Sequence, residues 1–209
     1  MGINNKIYIV SNTVLLPTID NLNQHKNSNE IIFIGKMSYE PNVVAVDYFV
    51  KEIFSYLKKD FPNLIFKIIG ANPKKKVLNL SKNNGIIVTG YVESIIPFLR
   101  NNTIVIAPML TGAGIQNKII QAMSYGCCVA TTPIGAEGLN IENNEIAIFD
   151  GVEDWRKGLH SLLNNLTLRK DMGNKARKYI EINLNINIIN KQFWNFIESG
   201  ENNYNLKNI

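Results

Sequence analysis

Thr111-Gly112-Ala113-Gly114-Ile115-Gln116-Asn117-Lys118 follows the apolar run Ile104-Val105-Ile106-Ala107-Pro108 and leads into Ile119-Ile120-Gln121-Ala122-Met123. A strand, a turn of small residues and an amphipathic helix predicted over Gly114 to Tyr125 make one unit of a helix-covered parallel sheet. Gly126 suits the end of that helix. Glycine lets a backbone come close to a ligand. A helix opening at such a turn aims unpaired N–H groups into it, equivalent to roughly half a positive charge. That arrangement suits an anion, above all a phosphate. Lys118, in the first helical turn, adds a full charge.

The same alternation extends in both directions. Glu30-Ile31-Ile32-Phe33-Ile34 reads as a buried strand ending at Gly35. Pro41 suits the first turn of a helix, and Val43, Val46, Val50, Ile53, Phe54 and Leu57 then recur at helical spacing. Leu64 to Gly70 reads as a strand, Lys74 to Lys82 as a helix, Ile86-Ile87-Val88 as a strand and Ser94 to Asn101 as a helix. After the glycine turn and its helix come strands at Cys127 to Thr131 and Ile146 to Phe149. Strands apolar on both faces indicate an α/β fold, a Rossmann-like parallel sheet with helices on both faces. From Val152 the pattern is helical only, over Glu153–Asn165, Leu168–Leu184 and Ile188–Glu198, which predicts a C-terminal helical tail. We divide the chain into a strand (Lys6 to Val10) and linker over 1–30, an α/β unit with its helices over 31–199, and a polar tail without fixed structure over 200–209.

With 209 residues, 45% of them hydrophobic and 19% charged, the chain can bury a sizeable core. No run reaches the roughly 18 apolar residues of a membrane span, and the start lacks a signal-peptide layout. We therefore expect a cytoplasmic protein that reaches a membrane surface only through a partner. The net charge of +5 is compatible with an anionic ligand. The basic residues are dispersed, however, and the one tight run, Lys74-Lys75-Lys76, reads as a solvated helix face. No basic stripe with interleaved aromatics marks a nucleic-acid partner. Cys127 and Cys128 sit in an apolar run and read as core. No Cys/His spacing suggests a metal site, and His25 and His160 lack the partners of a catalytic base.

In open parallel sheets ligands bind beyond the carboxyl ends of the strands. Four segments fall there: Gly35 to Ser38, Gly70 to Pro73, Thr111 to Lys118, and Thr132 to Leu139. The first turn lacks the Gly-x-Gly-x-x-Gly of a dinucleotide site, and there is no Walker A loop. The sheet is nucleotide-like without the usual NAD or ATP signatures.

One ordered set of residues resembles a family. It comprises Gly35-Lys36-Met37-Ser38-Tyr39-Glu40-Pro41-Asn42, Ile68-Ile69-Gly70-Ala71, Val88-Thr89-Gly90-Tyr91-Val92, Ala107-Pro108, Gly112 to Lys118, Ala122-Met123, Gly126, and Val129 to Pro133 with Glu137-Gly138-Leu139. Together these look like the C-terminal, donor-binding half of a GT-B glycosyltransferase of the group-1, family-4 type, found in bacterial polysaccharide assembly. The likeness runs from about Ile7 to Phe196. It implies that the 31–199 unit binds a nucleoside-diphosphate sugar. The diphosphate would lie against Gly35, Lys36, Gly112, Ala113, Gly114, Ile115 and Lys118. Gln121 stands where most members carry a glutamate on the ribose hydroxyls, and Gly135, Glu137 and Gly138 would border the donor.

Two departures stand out. Many members carry two glutamates separated by seven residues, and those places hold Ala113 and Gln121. At Gln121 a neutral amide replaces a charge-assisted acceptor, which weakens the ribose contact by about 1 kcal/mol. The preceding acceptor-binding half of a complete GT-B enzyme has no counterpart in the sequence. The resemblance therefore implies glycosyl transfer, with retention of configuration, to a saccharide or lipid-linked acceptor held by a separate acceptor-binding polypeptide. No catalytic residue is assigned, and no cofactor or metal is called for. The alternative is a non-catalytic nucleotide-sugar-binding or interaction module. A nucleotide-sugar epimerase of the same architecture is a weaker third.

Overall fold

The computed structural model describes residues 12–18, 29–99, 103–112 and 114–205, with side chains as far as Glu198. The strand expected at Lys6 to Val10, His25 and Ala113 lie outside the described residues.

Six strands form one sheet in the order β3-β2-β1-β4-β5-β6. They are β1 (Glu30–Ile34), β2 (Ile65–Ile69), β3 (Ile86–Gly90), β4 (Ile104–Ala107), β5 (Cys128–Thr131) and β6 (Ala147–Ile148). Every pairing is parallel, with Phe33 opposite Ile68 and Val105 opposite Val129. The central strands β1, β4 and β5 are buried almost throughout, as a sheet covered on both faces requires. β3, at the edge, leaves Ile87 exposed.

The helix predicted after Pro41 forms as α1 (Glu40–Tyr48), a π-helical stretch (Phe49–Phe54) and α2 (Ser55–Asp60). The π stretch lies at the centre of an aromatic cluster. Phe49 packs at a tilt against Phe66 with ring centroids 4.7 Å apart and meets Trp155 edge-on at 6.2 Å. Trp155 belongs to α5 (Val152–Asn164), which packs on the π stretch and α2. α3 (Lys75–Leu80) joins α1 in that layer. The second layer pairs α4 (Asn117–Ser124) with α6 (Leu166–Asn183), both against β5.

Three expectations need correction. The helix after the glycine turn starts at Asn117, three residues later than predicted, with Gln116 in an extended N-cap conformation. Gly112 and Gly114 have φ of 135° and 68°, which no right-handed helix accommodates. The helix expected over Ser94 to Asn101 is, among the described residues, a single 3-10 turn at Ile96–Phe98. Pro97 fits only the first turn of a helix, and Leu99 leaves it extended to become buried. Finally α7 (Ile186–Asn205) continues past Gly200, where the polar tail was expected to begin. Once nucleated upstream, a helix gains one hydrogen bond for each residue it fixes, which carries it over a few polar residues.

Residues 12–18 of the linker region lie along the junction of α6 and α7. Val14 bridges Asn185, the Thr13 hydroxyl donates to the Leu184 carbonyl, and Arg177 donates to the Pro17 carbonyl at 3.0 Å.

Candidate donor site at the carboxyl ends of the strands

The strand order reverses between β1 and β4, so the loops that follow these two strands diverge and leave a crevice. Loop 35–39 forms one wall and the glycine turn after β4 the other. Both were singled out in the sequence, and the topology brings them together.

The first wall is rigid. Gly35 N–H donates to the Ile69 carbonyl at 3.0 Å and Met37 N–H to the Ala71 carbonyl at 2.9 Å. A Cβ on Gly70 would lie 1.8 Å from the Gly35 carbonyl oxygen, so the two loops meet backbone to backbone. Asn42, buried on α1, donates its amide to the Lys36 carbonyl at 3.0 Å and holds the loop from beneath. Lys36 itself is exposed and makes no ion pair among the described residues.

Lys118 has a different surrounding. Its ammonium donates to Asn42 Oδ1 at 2.5 Å, lies 3.4 Å from Met109 Sδ and sits over the Phe33 ring at 5.1 Å. Burial pushes its pKa down to about 8. The side chain therefore runs under the crevice and supports loop 35–39 through Asn42. Asn42 was quoted in the motif but not singled out as a site residue. No local signal marked it: its burial comes from the fold, and a buried amide must find partners.

The second wall is the glycine turn. No described atom lies within 4 Å of where a Gly114 Cβ would be, so the turn is open on that side. The Gln116 amide donates to the Gly114 carbonyl at 3.3 Å and closes the turn on itself. Among the described residues, nothing accepts from the N–H groups of Asn117 or Lys118 at the start of α4. Gln121 lies half-buried in the next turn of α4.

The loop after β5 completes the crevice. Thr131 and Thr132 donate their hydroxyls to the Ala107 and Met109 carbonyls at 2.7 and 2.6 Å. Gly135 N–H donates to the Thr132 hydroxyl at 3.1 Å, and a Cβ on Gly135 would meet the Thr131 hydroxyl at 2.0 Å. Gly138 packs against Ile115, where a Cβ would come within 2.9 Å of Cγ1. This framework delivers Glu137 to the turn, and its Oε2 accepts from Gly114 N–H at 3.2 Å.

Other regions offer less. A depression of about 560 Å³ opens at the amino ends of β2 and β3, the opposite end of the sheet. Its one cation, Lys58, is bound to the Pro62 and Leu64 carbonyls. Cys127 and Cys128 are fully buried, and burial pushes the Cys128 thiol up to about 12, which leaves it inert. His160 packs edge-on against Phe61 with centroids 5.2 Å apart. No group of three or more His, Cys, Asp or Glu is arranged to hold a metal among the described residues. No helix among them is long and apolar enough to cross a membrane.

A six-stranded parallel Rossmann-like sheet with helices on both faces and a terminal helical extension is one half of the GT-B glycosyltransferase architecture. The sequence model of the family described as glycosyl transferases group 1 matches residues 28–165, more than half of the chain, and the chain belongs to that family. A glycosyltransferase of Methanocaldococcus jannaschii, MJ1069, is 28% identical over 169 residues, covering 77% of this chain and 42% of its own length. Among solved structures, a variant of TarM from S. aureus in complex with fondaparinux, α-GlcNAc-glycerol and UDP superposes with a TM-score of 0.75 at 18% identity. That superposition covers 92% of this chain and 40% of TarM. The C-terminal domain of LpcC, a group 1 glycosyl transferase of Francisella tularensis, gives a TM-score of 0.61 at 18% identity and covers 75% of this chain and 86% of that domain. The chain thus spans less than half of the curated relative and corresponds to the C-terminal half of such enzymes.

Proposed function

We propose that this chain binds a nucleoside-diphosphate sugar in the β1/β4 crevice and acts as the donor half of a glycosyltransferase. The observation that carries the proposal is that an anion already occupies the turn: the Glu137 carboxylate is bound by Gly114 N–H. A diphosphate at that place would meet the Gly114 amide, the first N–H groups of α4 and, from the opposite wall, the exposed Lys36. UDP in the complex of TarM supports a nucleoside diphosphate as the ligand class.

In glycosyl transfer, negative charge develops on the departing diphosphate as its bond to the anomeric carbon breaks. Fixed N–H donors and a nearby ammonium stabilise that charge without reorganising. Lys118 acts on the same charge from below, through the loop that Asn42 holds. The assignment needs no metal, since backbone donors and lysine meet the phosphate oxygens. The acceptor would be held by the other half of the GT-B architecture, facing this crevice. A second reading, a nucleotide-sugar-binding module without transfer, is favoured by Gln121, an amide where the resembled enzymes carry a ribose-binding carboxylate.

Calorimetry of the chain with UDP, GDP, ADP and their sugar conjugates tests the site. One of these should bind, and binding should vanish in Gly114→Asp while persisting in Lys157→Ala. Absence of binding to every nucleotide, with circular dichroism showing a folded protein, would overturn the assignment. To separate the two readings, the chain is combined with a candidate acceptor half. Turnover of a bound sugar donor is expected from an enzyme and not from a module.

A further inference from the structure

We propose that Glu137 is a built-in occupant of the donor site, a carboxylate that screens the glycine turn and must swing away when a diphosphate enters. This rests on the nucleotide-sugar assignment above and concerns how that site is regulated. The Glu137 carboxylate accepts from Gly114 N–H at 3.2 Å. An N–H aimed at one anionic oxygen has no room for a second, and two like charges brought to the same donor repel each other. Any phosphate oxygen that takes the Gly114 amide therefore displaces Glu137.

The loop is built so that displacement needs only the side chain. Its backbone is held within itself: Ala136 N–H donates to the Thr132 carbonyl at 3.0 Å, Glu137 N–H to Ile134 at 3.3 Å and Leu139 N–H to Ala136 at 3.0 Å, while the Thr132 hydroxyl ties it to the Met109 carbonyl after β4. Glu137 is exposed and makes no ion pair among the described residues, so no cation holds its carboxylate against the turn. Rotamer exchange of an exposed side chain is fast, so the occupant imposes a thermodynamic threshold and not a slow gate. A ligand offering one weak anionic contact does not clear that threshold. A diphosphate, reaching the turn, the start of α4 and Lys36 together, does. Glu137 thereby selects for ligands that span both walls.

The test is affinity for UDP, GDP, ADP and pyrophosphate in the wild-type chain, Glu137→Gln and Glu137→Ala. Asp171→Asn on α6 controls for the loss of one negative charge. Both Glu137 variants should bind the preferred nucleoside diphosphate, and pyrophosphate, about tenfold more tightly. They should bind the matching nucleoside, which carries no phosphate, with unchanged affinity, and Asp171→Asn should behave as wild type. Wild-type binding that is equalled or weakened in both Glu137 variants would overturn the proposal and leave the donor site standing. Binding of no nucleotide or pyrophosphate by any folded variant would overturn the donor site itself and this inference with it.

Discussion

The two walls of the crevice use glycine for opposite reasons. Where loop 35–39 meets the end of β2, a Cβ on Gly70 would lie 1.8 Å from the Gly35 carbonyl oxygen, and one on Gly35 would lie 2.6 Å from the Asn42 amide nitrogen. Across the crevice, a Cβ on Gly112 would come no nearer than 3.5 Å to the Gln116 amide, and one on Gly114 would meet open space. Packing excludes a side chain at the first glycines, with a φ of 156° at Gly70 adding to the constraint, whereas at Gly114 only the backbone conformation, with φ of 68°, requires glycine. The crevice therefore has a wall of locked backbone, carrying the exposed Lys36, and a mouth of exposed amides. The proposed diphosphate would use both: the Lys36 cation carried on the first wall and donors it can approach closely on the second.

The largest effect that distinguishes them is expected at Gly70. In Gly70→Ala the new methyl group overlaps a backbone oxygen that no side-chain rotation can move, so β1 and β2 must separate at their ends. Urea unfolding should show a loss of at least about 4 kcal/mol, or no folded protein at all. An unchanged midpoint would mean that the Gly35–Gly70 junction is not the rigid wall described.

The next effect belongs to the support beneath that wall. Lys118 titrates at about 8 in the fold against 10.5 for an unburied lysine, with burial as the cause. Between those values the folded state binds fewer protons than the unfolded chain, so its stability rises with pH across that window. Below pH 8 the charged lysine is held at a penalty on the order of 3 kcal/mol, which is relieved as the pH approaches 10.5. Lys118→Met, neutral throughout, should remove this rise. The measurement is the difference in unfolding free energy between wild type and variant at several pH values from 7 to 10.5. A difference independent of pH would show that the ammonium is solvated and not buried on Phe33 and Asn42.

At the mouth, Gly114→Ala should cost only about 1 kcal/mol of stability, the left-handed backbone penalty, since its methyl group meets nothing. That methyl group stands in the space a diphosphate would enter, so nucleotide affinity should fall about tenfold. Large destabilisation with unaltered affinity would reverse the assignment of wall and mouth.

These contrasts also show what the sequence could and could not reveal. Strand and helix periods were readable because each apolar run ends at a glycine, proline or polar cluster, and the parallel sheet followed from strands apolar on both faces. Local chemistry misled where a turn and a helix compete for the same residues. The positive φ values of Gly112 and Gly114 move the start of α4 to Asn117, and Pro97 confines its helix to one turn. Within the site, Lys36 and the glycine turn were legible as residue types at strand ends. The contacts between elements were not. Nothing local distinguishes Lys36, which faces solvent, from Lys118, which runs under loop 35–39 to Asn42, because 76 residues separate Asn42 from Lys118. The Glu137 contact with Gly114 spans 23 residues and depends on how two loops are tied by Thr131 and Thr132.

The smallest effect should come from Gln121, on the helix that carries the mouth. Its neighbours Ile120 and Ala122 are buried, whereas Gln121 is half-buried and has no hydrogen-bond partner for its amide among the described residues. Gln121→Glu keeps the shape and adds a charge, so the fold should keep its unfolding midpoint. If the helix presents this side chain to the ribose, hydroxyl donors gain a charged acceptor, strengthened by about 1 kcal/mol. Affinity for the preferred nucleoside diphosphate should then rise about fivefold, and the matching nucleoside, which has the same hydroxyls, should gain equally. Pyrophosphate, which has no ribose, should gain nothing and lose slightly to the added negative charge. A gain confined to pyrophosphate, or a loss shared by nucleotide and nucleoside, would place the ribose elsewhere and limit the donor site to the turn and Lys36.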